Sequence, residues 1–496
     1  MTKQTMKRRL QKINAEKGRT VFPSVLIAAA ECAPLSKTGG LADVVGTLPA
    51  HLISLGFDCR IITPFHNSAK EKYKKETEHV LDFYVQIGWR TQYVGVEKLI
   101  LDGVTIYLID NDYYYGNKIY WGGKEEVEQY AFFQRAALES LLHMNFIPDI
   151  IHCNDWHTAM IPMLIKTQYQ KTAIAGIKTL MTIHNLAYQG RCGFEQVHEL
   201  LNVEEKYYTP EFIETYDCAN FLKAGCVFAD RLSTVSPSYA NEICTLNYGE
   251  GLQGILSARR HELVGIINGI DIKTFNPAKD KKIAANYSIK NLAGKADCKQ
   301  ALLNDTALDK DMEAPVFAMV TRITEQKGFD LLEAVMPGLM DLGAKFIILG
   351  IGDEGRENYL RWAEGYWKGR IHSHLIYDDA MASKIYAGAD FLLMPSKFEP
   401  CGLSQMIAMR YGTLPVVRET GGLKDTVLPY NKFTGEGYGF SFASGTPQDL
   451  YDVICRANET YYNKEVLEQI IKNAMSKDFS FDSSAYSYGE TYLNLV

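Results

Sequence analysis

From Phe22 onward the chain alternates short β-branched runs with longer amphipathic stretches: VLIAAA, then GGLADVVGTLPAHLISLG, then CRIITPF. Strands alternating with helices predict βαβ units and a parallel sheet. The alternation continues through LILDGVTIYLID, EEVEQYAFFQRAALESLLHM, PDIIHCND, LMTIHN and RLSTVSPS, and reaches VGIINGID near residue 271. Residues 272–313 turn polar and lysine-rich, and no strand-like run follows until PVFAMVTRI restarts the pattern. The second stretch reads VFAMVT, GFDLLEAVMPGLMDLG, KFIILG, HLIYDD, FLLMPS, LPVVRE and GYGFSFA. The expectation is an α/β protein of two Rossmann-like, doubly wound parallel-sheet domains, residues 21–272 and 273–480, facing each other across a cleft. Residues 1–20, basic and polar, are expected to be a mobile leader.

Length supports two cores, because 496 residues exceed what one ordinary core holds together. A formal net charge of −7 repels nucleic acid at long range, and no segment approaches the roughly 18 apolar residues of a spanning helix. Neither nucleic acid nor membrane is expected as a partner. Ten cysteines are scattered from Cys32 to Cys455 without a C-x-x-C pair, which fits a reducing cytoplasm.

In open parallel sheets ligands lie beyond the carboxyl ends of the strands, so chemistry is sought in the loops that follow them. The first such loop, ECAPLSKTGGLADVVG, puts Lys37, Gly39 and Gly40 directly before a helix. Glycines allow close backbone approach, and the helix start and the lysine both favour an anion; an ordinary glycine turn reads the same way. Thr38-Gly39-Gly40-Leu41 is echoed by Thr420-Gly421-Gly422-Leu423, which suggests two anion-directed loops serving one diphosphate. Arg322 and Lys327 follow a strand of the second domain and suit a leaving diphosphate, or are solvated surface cations. Glu399 stands in a Pro-bounded turn before Gly402 and can accept sugar hydroxyls. Cys401, with no base beside it, reads as a small packing residue. His184 ends one β run, and Asp155 and His157 follow another. A metal on His152, Asp155 and His157 fits no helical or zinc-ribbon spacing, and none is expected.

Other patterns compete. Gly350-Ile351-Gly352-Asp353-Glu354-Gly355 matches G-x-G-x-x-G and supports an NAD-dependent oxidoreductase, although the fingerprint belongs after the first strand of a domain. Asp110-Asn111-Asp112 spells the D-x-D of metal-dependent glycosyltransferases of a different, single-domain fold. Tyr113, Tyr114, Tyr115, Tyr120 and Trp121 offer flat rings to a sugar or a purine, or pack their own loop.

Together these loops resemble the glycogen and starch synthase family of retaining, two-domain (GT-B) glucosyltransferases. The resemblance rests on K-T-G-G-L-A-D-V-V-G at 37–46, H-N-L-A-Y-Q-G at 184–190, F-L-K-A-G at 221–225, R-x-x-x-x-K-G at 322–328, F-E-P-C-G-L at 398–403 and Y-G-T-L-P-V-V-R-x-T-G-G-L at 411–423. It implies transfer of glucose from ADP-glucose to an α-1,4-glucan, without a metal or other cofactor. It assigns Lys37 to the donor diphosphate, with Gly39, Gly40, Cys401, Gly402, Thr420, Gly421 and Gly422 as donor-binding loops. Arg322 and Lys327 stabilise the leaving phosphates, Asp155, His184 and Glu399 hold the glucose, and Tyr115 lies near the adenine. Many two-domain relatives carry a second Glu eight positions after the first; Ile407 stands there, which leans toward the bacterial and plant branch. Residues 481–496 resemble the family's last helix, which crosses back to the first domain. A noncatalytic glucan-binding relative is the other reading to weigh.

Overall fold

The computed structural model describes all 496 residues. The chain divides into two units, Met1–Gly269 with Phe481–Val496, and Ile270–Ser480, against an expected division at 272/273. No helix is long and apolar enough to cross a membrane.

The first unit is built on a nine-stranded sheet. Its parallel part runs Leu263–Gly265, Arg231–Thr234, Lys178–Ile183, Ile150–Asn154, Ser24–Ala28, Asp58–Pro64 and Val104–Asp110. The edge departs from the expected all-parallel sheet: Arg90–Leu101 and Glu78–Ile87 run antiparallel, as a meander with Val104–Asp110. The cause is local. Asp102-Gly103, both at positive φ, make a tight turn that folds LILDGVTIYLID back on itself.

The second unit carries six parallel strands in the spatial order Ile371–His374, Lys345–Leu349, Val316–Val320, Phe391–Met394, Leu414–Arg418, Phe440–Phe442. Numbered along the unit this is 3-2-1-4-5-6, the doubly wound order. HLIYDD was expected as a strand; the strand is instead Ile371–His374, and Asp378 at the end of HLIYDD accepts the Ala380 and Met381 N–H groups to cap the next helix.

The leader, expected to be mobile, is largely helical. Lys3–Glu16 is a helix whose Met6, Leu10 and Asn14 are buried, while Lys3, Arg8, Arg9 and Lys12 face solvent. Met6, Leu10 and the partly buried Ile13 recur at helical spacing and join the core around Tyr488 and Tyr492 of the terminal helix Phe481–Leu495. A Cβ on Gly489 would lie 3.1 Å from Leu10, so the two helices pack closely there. Burying Met6 and Leu10 contributes roughly 1.5–3 kcal/mol each, which the run of charges conceals from a composition reading.

Candidate functional site

In the first unit the strand order reverses about Ser24–Ala28, and the loops beyond it and its neighbours carry the chemistry. Glu31 is buried, and its Oε2 accepts the Thr38 N–H at 2.5 Å and the Thr38 hydroxyl at 2.9 Å. Burial raises the Glu31 pKa above the usual carboxylate range, against the opposing hydrogen bonds of Thr38 and Gly39. A carboxylate thus braces the Lys37–Gly39 loop from beneath. Lys37, 37% exposed, pairs with Asp43 at 2.8 Å. Gly39 begins the helix Gly40–Leu55 with no side-chain cap, and a Cβ on it would come no nearer than 3.7 Å to Glu31 Oε1. The helix start can therefore receive an anionic group.

Asp155 and His184 follow the adjacent strands Ile150–Asn154 and Lys178–Ile183. Asp155 has φ 55° and ψ −178°, a conformation that side chains other than glycine avoid and that persists only when neighbours hold it. Here they do. Its N–H donates to the Thr182 carbonyl at 3.0 Å, and its Oδ1 accepts the N–H of His184 at 2.7 Å. Burial pushes the Asp155 carboxyl up to about 7, with the nearby Glu31 charge adding to the shift. His184 Nε2 meets Asn154 Oδ1 at 2.9 Å, and the Asn154 amide donates to Ala28 and His152 carbonyls, so Oδ1 is an acceptor. Burial lowers the imidazole to about 3, which keeps it neutral with the proton on Nε2 and a lone pair on Nδ1.

In the second unit the reversal falls at Val316–Val320, and the loops after this strand and after Phe391–Met394 bring Lys327 and Glu399 together. Lys327 Nζ lies 2.5 Å from Glu399 Oε2, with the two side chains only 14% and 7% exposed. Ser396 Oγ donates to the same oxygen at 3.0 Å. Gly328, at φ 73°, permits this approach, since a Cβ there would stand 2.0 Å from the Pro395 carbonyl. Beneath Glu399 lies the second glycine loop. The Gly422 N–H donates to the Glu399 carbonyl at 3.0 Å, and a Cβ on Gly421, at φ 44°, would meet that carbonyl at 2.0 Å. A Cβ on Gly422 would meet the Cys401 carbonyl at 2.1 Å, and Gly402 turns the chain at φ 72°. Thr420, Gly421, Gly422 and Cys401 are buried and form the floor under Glu399. Arg322 is exposed at the strand end.

Several features raised by the sequence sit elsewhere. Tyr115 is fully buried, its ring against His66 and Phe132, so its face is not available to an adenine. The Asn111 side chain accepts the Tyr113 and Tyr114 N–H groups and turns the loop inward. Asp110 and Asp112 both bind Lys70, at 2.5 and 2.7 Å. His152 is engaged on both nitrogens, by Tyr492 and Thr182. The G-x-G-x-x-G glycines serve packing: a Cβ on Gly350 would stand 1.8 Å from the Thr321 carbonyl, one on Gly352 2.0 Å from that of Ile323, and Asp353 caps the next helix. Glu31, Asn154 and Ser396 were missed. Glu31 and Ser396 stand in strand-end loops and Asn154 ends its strand, which is the signal that could have found them.

Each sheet thus carries, beyond its strand ends, a lysine beside hydroxyl acceptors. Residues 24–258 match the family described as starch synthase catalytic domain, and residues 303–477 match glycosyl transferases group 1. A glycogen synthase of Caldicellulosiruptor bescii is 44% identical over 474 residues, covering 95% of this chain and 99% of the relative. One from Ligilactobacillus salivarius is 45% identical, covering 95% and 100%. The solved catalytic domain of starch synthase IV from Arabidopsis thaliana, bound to ADP and acarbose, is similar at a TM-score of 0.89 and 31% identity, covering 95% of this chain and 99% of that one. The chain belongs to the glycogen and starch synthase family and is a glycosyltransferase with glycogen synthase function.

Proposed function

We propose that the chain transfers glucose, with retention of configuration, from ADP-glucose to the non-reducing end of an α-1,4-glucan such as glycogen or a maltooligosaccharide, releasing ADP. The observation that carries this reading is the buried Lys327–Glu399 pair at the switch point of the second sheet, a cation for a phosphate beside a carboxylate for a sugar. The relative bound to ADP and acarbose supports the donor base and the glucan.

In this reading the C1–O bond to the diphosphate breaks as the acceptor O4 bonds to C1 on the same face, and the O4 proton passes to the departing phosphate oxygen. Arg322 and Lys327 neutralise the charge that develops on that phosphate, and Lys37 holds the diphosphate at its open helix start, so charge neutralisation is assigned to side chains rather than to a metal. Asp155, His184 and Glu399 accept or donate to glucose hydroxyls. The backbone of Cys401, Gly402 and Thr420–Gly422 shapes the donor pocket. Glu399 forms no covalent bond to the sugar, unlike the nucleophile of a retaining glycosidase. Ten free cysteines support a reducing, cytoplasmic setting.

The test is nucleotide release from ADP-glucose and from UDP-glucose, each with and without glycogen, in the presence of a chelator. Glycogen-dependent ADP release is expected. Release from UDP-glucose alone would overturn the donor, dependence on added metal would overturn the charge assignment, and silence with both donors would favour a noncatalytic glucan binder.

A further inference from the structure

On one face of the first sheet Val25, Ile27, Ile150 and Leu180 share an apolar core with Tyr488 and Tyr492 of the terminal helix. Two residues further along their strands, on that same face, the apolar pattern breaks at His152 and Thr182. Ser233 stands opposite Thr182 on the next strand. His152, Thr182, Ser233 and Tyr492 are all fully buried. The Tyr492 hydroxyl lies 2.8 Å from His152 Nδ1, His152 Nε2 lies 2.6 Å from the Thr182 hydroxyl, and that hydroxyl lies 2.5 Å from the hydroxyl of Ser233. The four groups form one polar line across three adjacent parallel strands. Burial lowers the His152 imidazole to about 3, so it is neutral and serves the line with one N–H and one lone pair.

Stability alone does not call for such a line. Apolar residues of like shape would fill the same space, and exchanging both partners of a buried hydrogen bond for apolar groups is close to neutral. A satisfied buried network instead fixes one geometry. What is fixed here is the pair of strand ends that carry Asp155 and His184, and two routes lead there from His152. Through Thr182, the line holds the residue whose carbonyl accepts the Asp155 N–H at 3.0 Å and so secures Asp155 at φ 55°. Through its own carbonyl, His152 accepts the Asn154 amide at 3.1 Å, and Asn154 Oδ1 meets His184 Nε2 at 2.9 Å. The two routes converge, because Asp155 Oδ1 accepts the His184 N–H.

We infer that Tyr492 is a positioning residue: acting through His152 and Thr182, it holds Asp155 and His184 where they meet the transferred sugar. That these two meet the sugar rests on the proposed glucosyl transfer; that Tyr492 holds them rests on the contacts alone.

The experiment compares the full-length wild type with Tyr492→Phe, which keeps the ring against Tyr488 and His152 and removes only the hydroxyl. Two further variants probe the middle of the line: Thr182→Val replaces the hydroxyl by a methyl group, and Thr182→Ser keeps it. Turnover on ADP-glucose with glycogen is expected to fall about tenfold in Tyr492→Phe and Thr182→Val, as misplaced reacting groups cost, and to stay near wild type in Thr182→Ser. Inhibition by ADP should be unchanged, because the diphosphate contacts assigned to Lys37, Arg322 and Lys327 are not members of the line. Amide hydrogen exchange, read in peptides covering 153–160 and 183–190, should quicken in Tyr492→Phe and Thr182→Val and not in Thr182→Ser. A Tyr492→Phe protein that melts lower yet turns over like wild type overturns the inference, by making the line a prop of the fold only. Unchanged exchange overturns it as well, and so does an equal loss of turnover in Thr182→Ser. If wild type releases no nucleotide from ADP-glucose, the proposed function fails instead; amide exchange needs no turnover and still decides whether Tyr492 holds Asp155 and His184.

Discussion

The two glycine-led loops, Thr38-Gly39-Gly40-Leu41 and Thr420-Gly421-Gly422-Leu423, are near copies in sequence and differ in what the fold does with them. The first stays partly open. Gly39 has an extended backbone that any residue adopts, nothing crowds its missing side chain closer than 3.7 Å, and Lys37 reaches outward beside it. The second is shut. Gly421 sits at φ 44° with a carbonyl 2.0 Å from where a Cβ would be, and Gly422 has given its N–H to Glu399. The same letters thus leave space at a helix start in one place and pack beneath Glu399 in the other, and only the contacts tell them apart.

This contrast can be broken at several strengths. The largest effect is expected from Gly421→Ala, where backbone strain and overlap with the Glu399 carbonyl should cost about 3 kcal/mol or more of stability and most of the activity; thermal melts with turnover measure both. Lys327→Ala should lower turnover by about 10²–10³, with some loss of stability because Glu399 is left buried and unpaired. Lys37→Ala, at an exposed position, should reduce kcat/KM for ADP-glucose by about 10- to 100-fold and leave the melting midpoint in place.

Asp155 gives the first unit's site a pH dependence. Its pKa is raised from 3.8 to about 7 by burial, so the folded state favours the protonated form. The stability it contributes is present below 3.8 and is lost as pH rises toward about 7. Asp155→Asn should therefore melt above wild type at pH 8 and converge with it in acid, while its turnover falls. Wild-type turnover should decline as pH drops through about 7, where the carboxylate is protonated; His184, neutral down to about 3, does not cause that limb. The smallest effect is expected from Gly39→Ala: a change within about 0.5 kcal/mol in stability and a rise in KM for the donor.

Much of this was legible in the chain, and the parts that were not share a cause. Alternating β runs and helical stretches identify both sheets because burial on two faces demands continuous apolar strands. Lys327 and Glu399 are recognisable because each follows such a strand. Tyr115 misled because a ring's value to a ligand depends on exposure, and Asn111 rolls that loop inward through hydrogen bonds no periodicity reveals. Gly350–Gly355 could only be kept as a rival because a glycine pattern reports close approach without naming what approaches; here it is the Thr321 and Ile323 carbonyls. The N-terminal helix escaped notice because its charges outnumber the few apolar residues that bury it. Glu31 and Asn154 act by holding other groups, which makes them visible only once the loops are folded.

The most direct measurement is ADP release from ADP-glucose by wild type and by Lys37→Ala, with and without glycogen, at matched melting midpoints. The account predicts that wild type releases ADP only when glycogen is present, and that the variant, equally folded, does so about 10- to 100-fold more slowly. Equal rates in the two proteins, or no glycogen-dependent release by wild type, would contradict it.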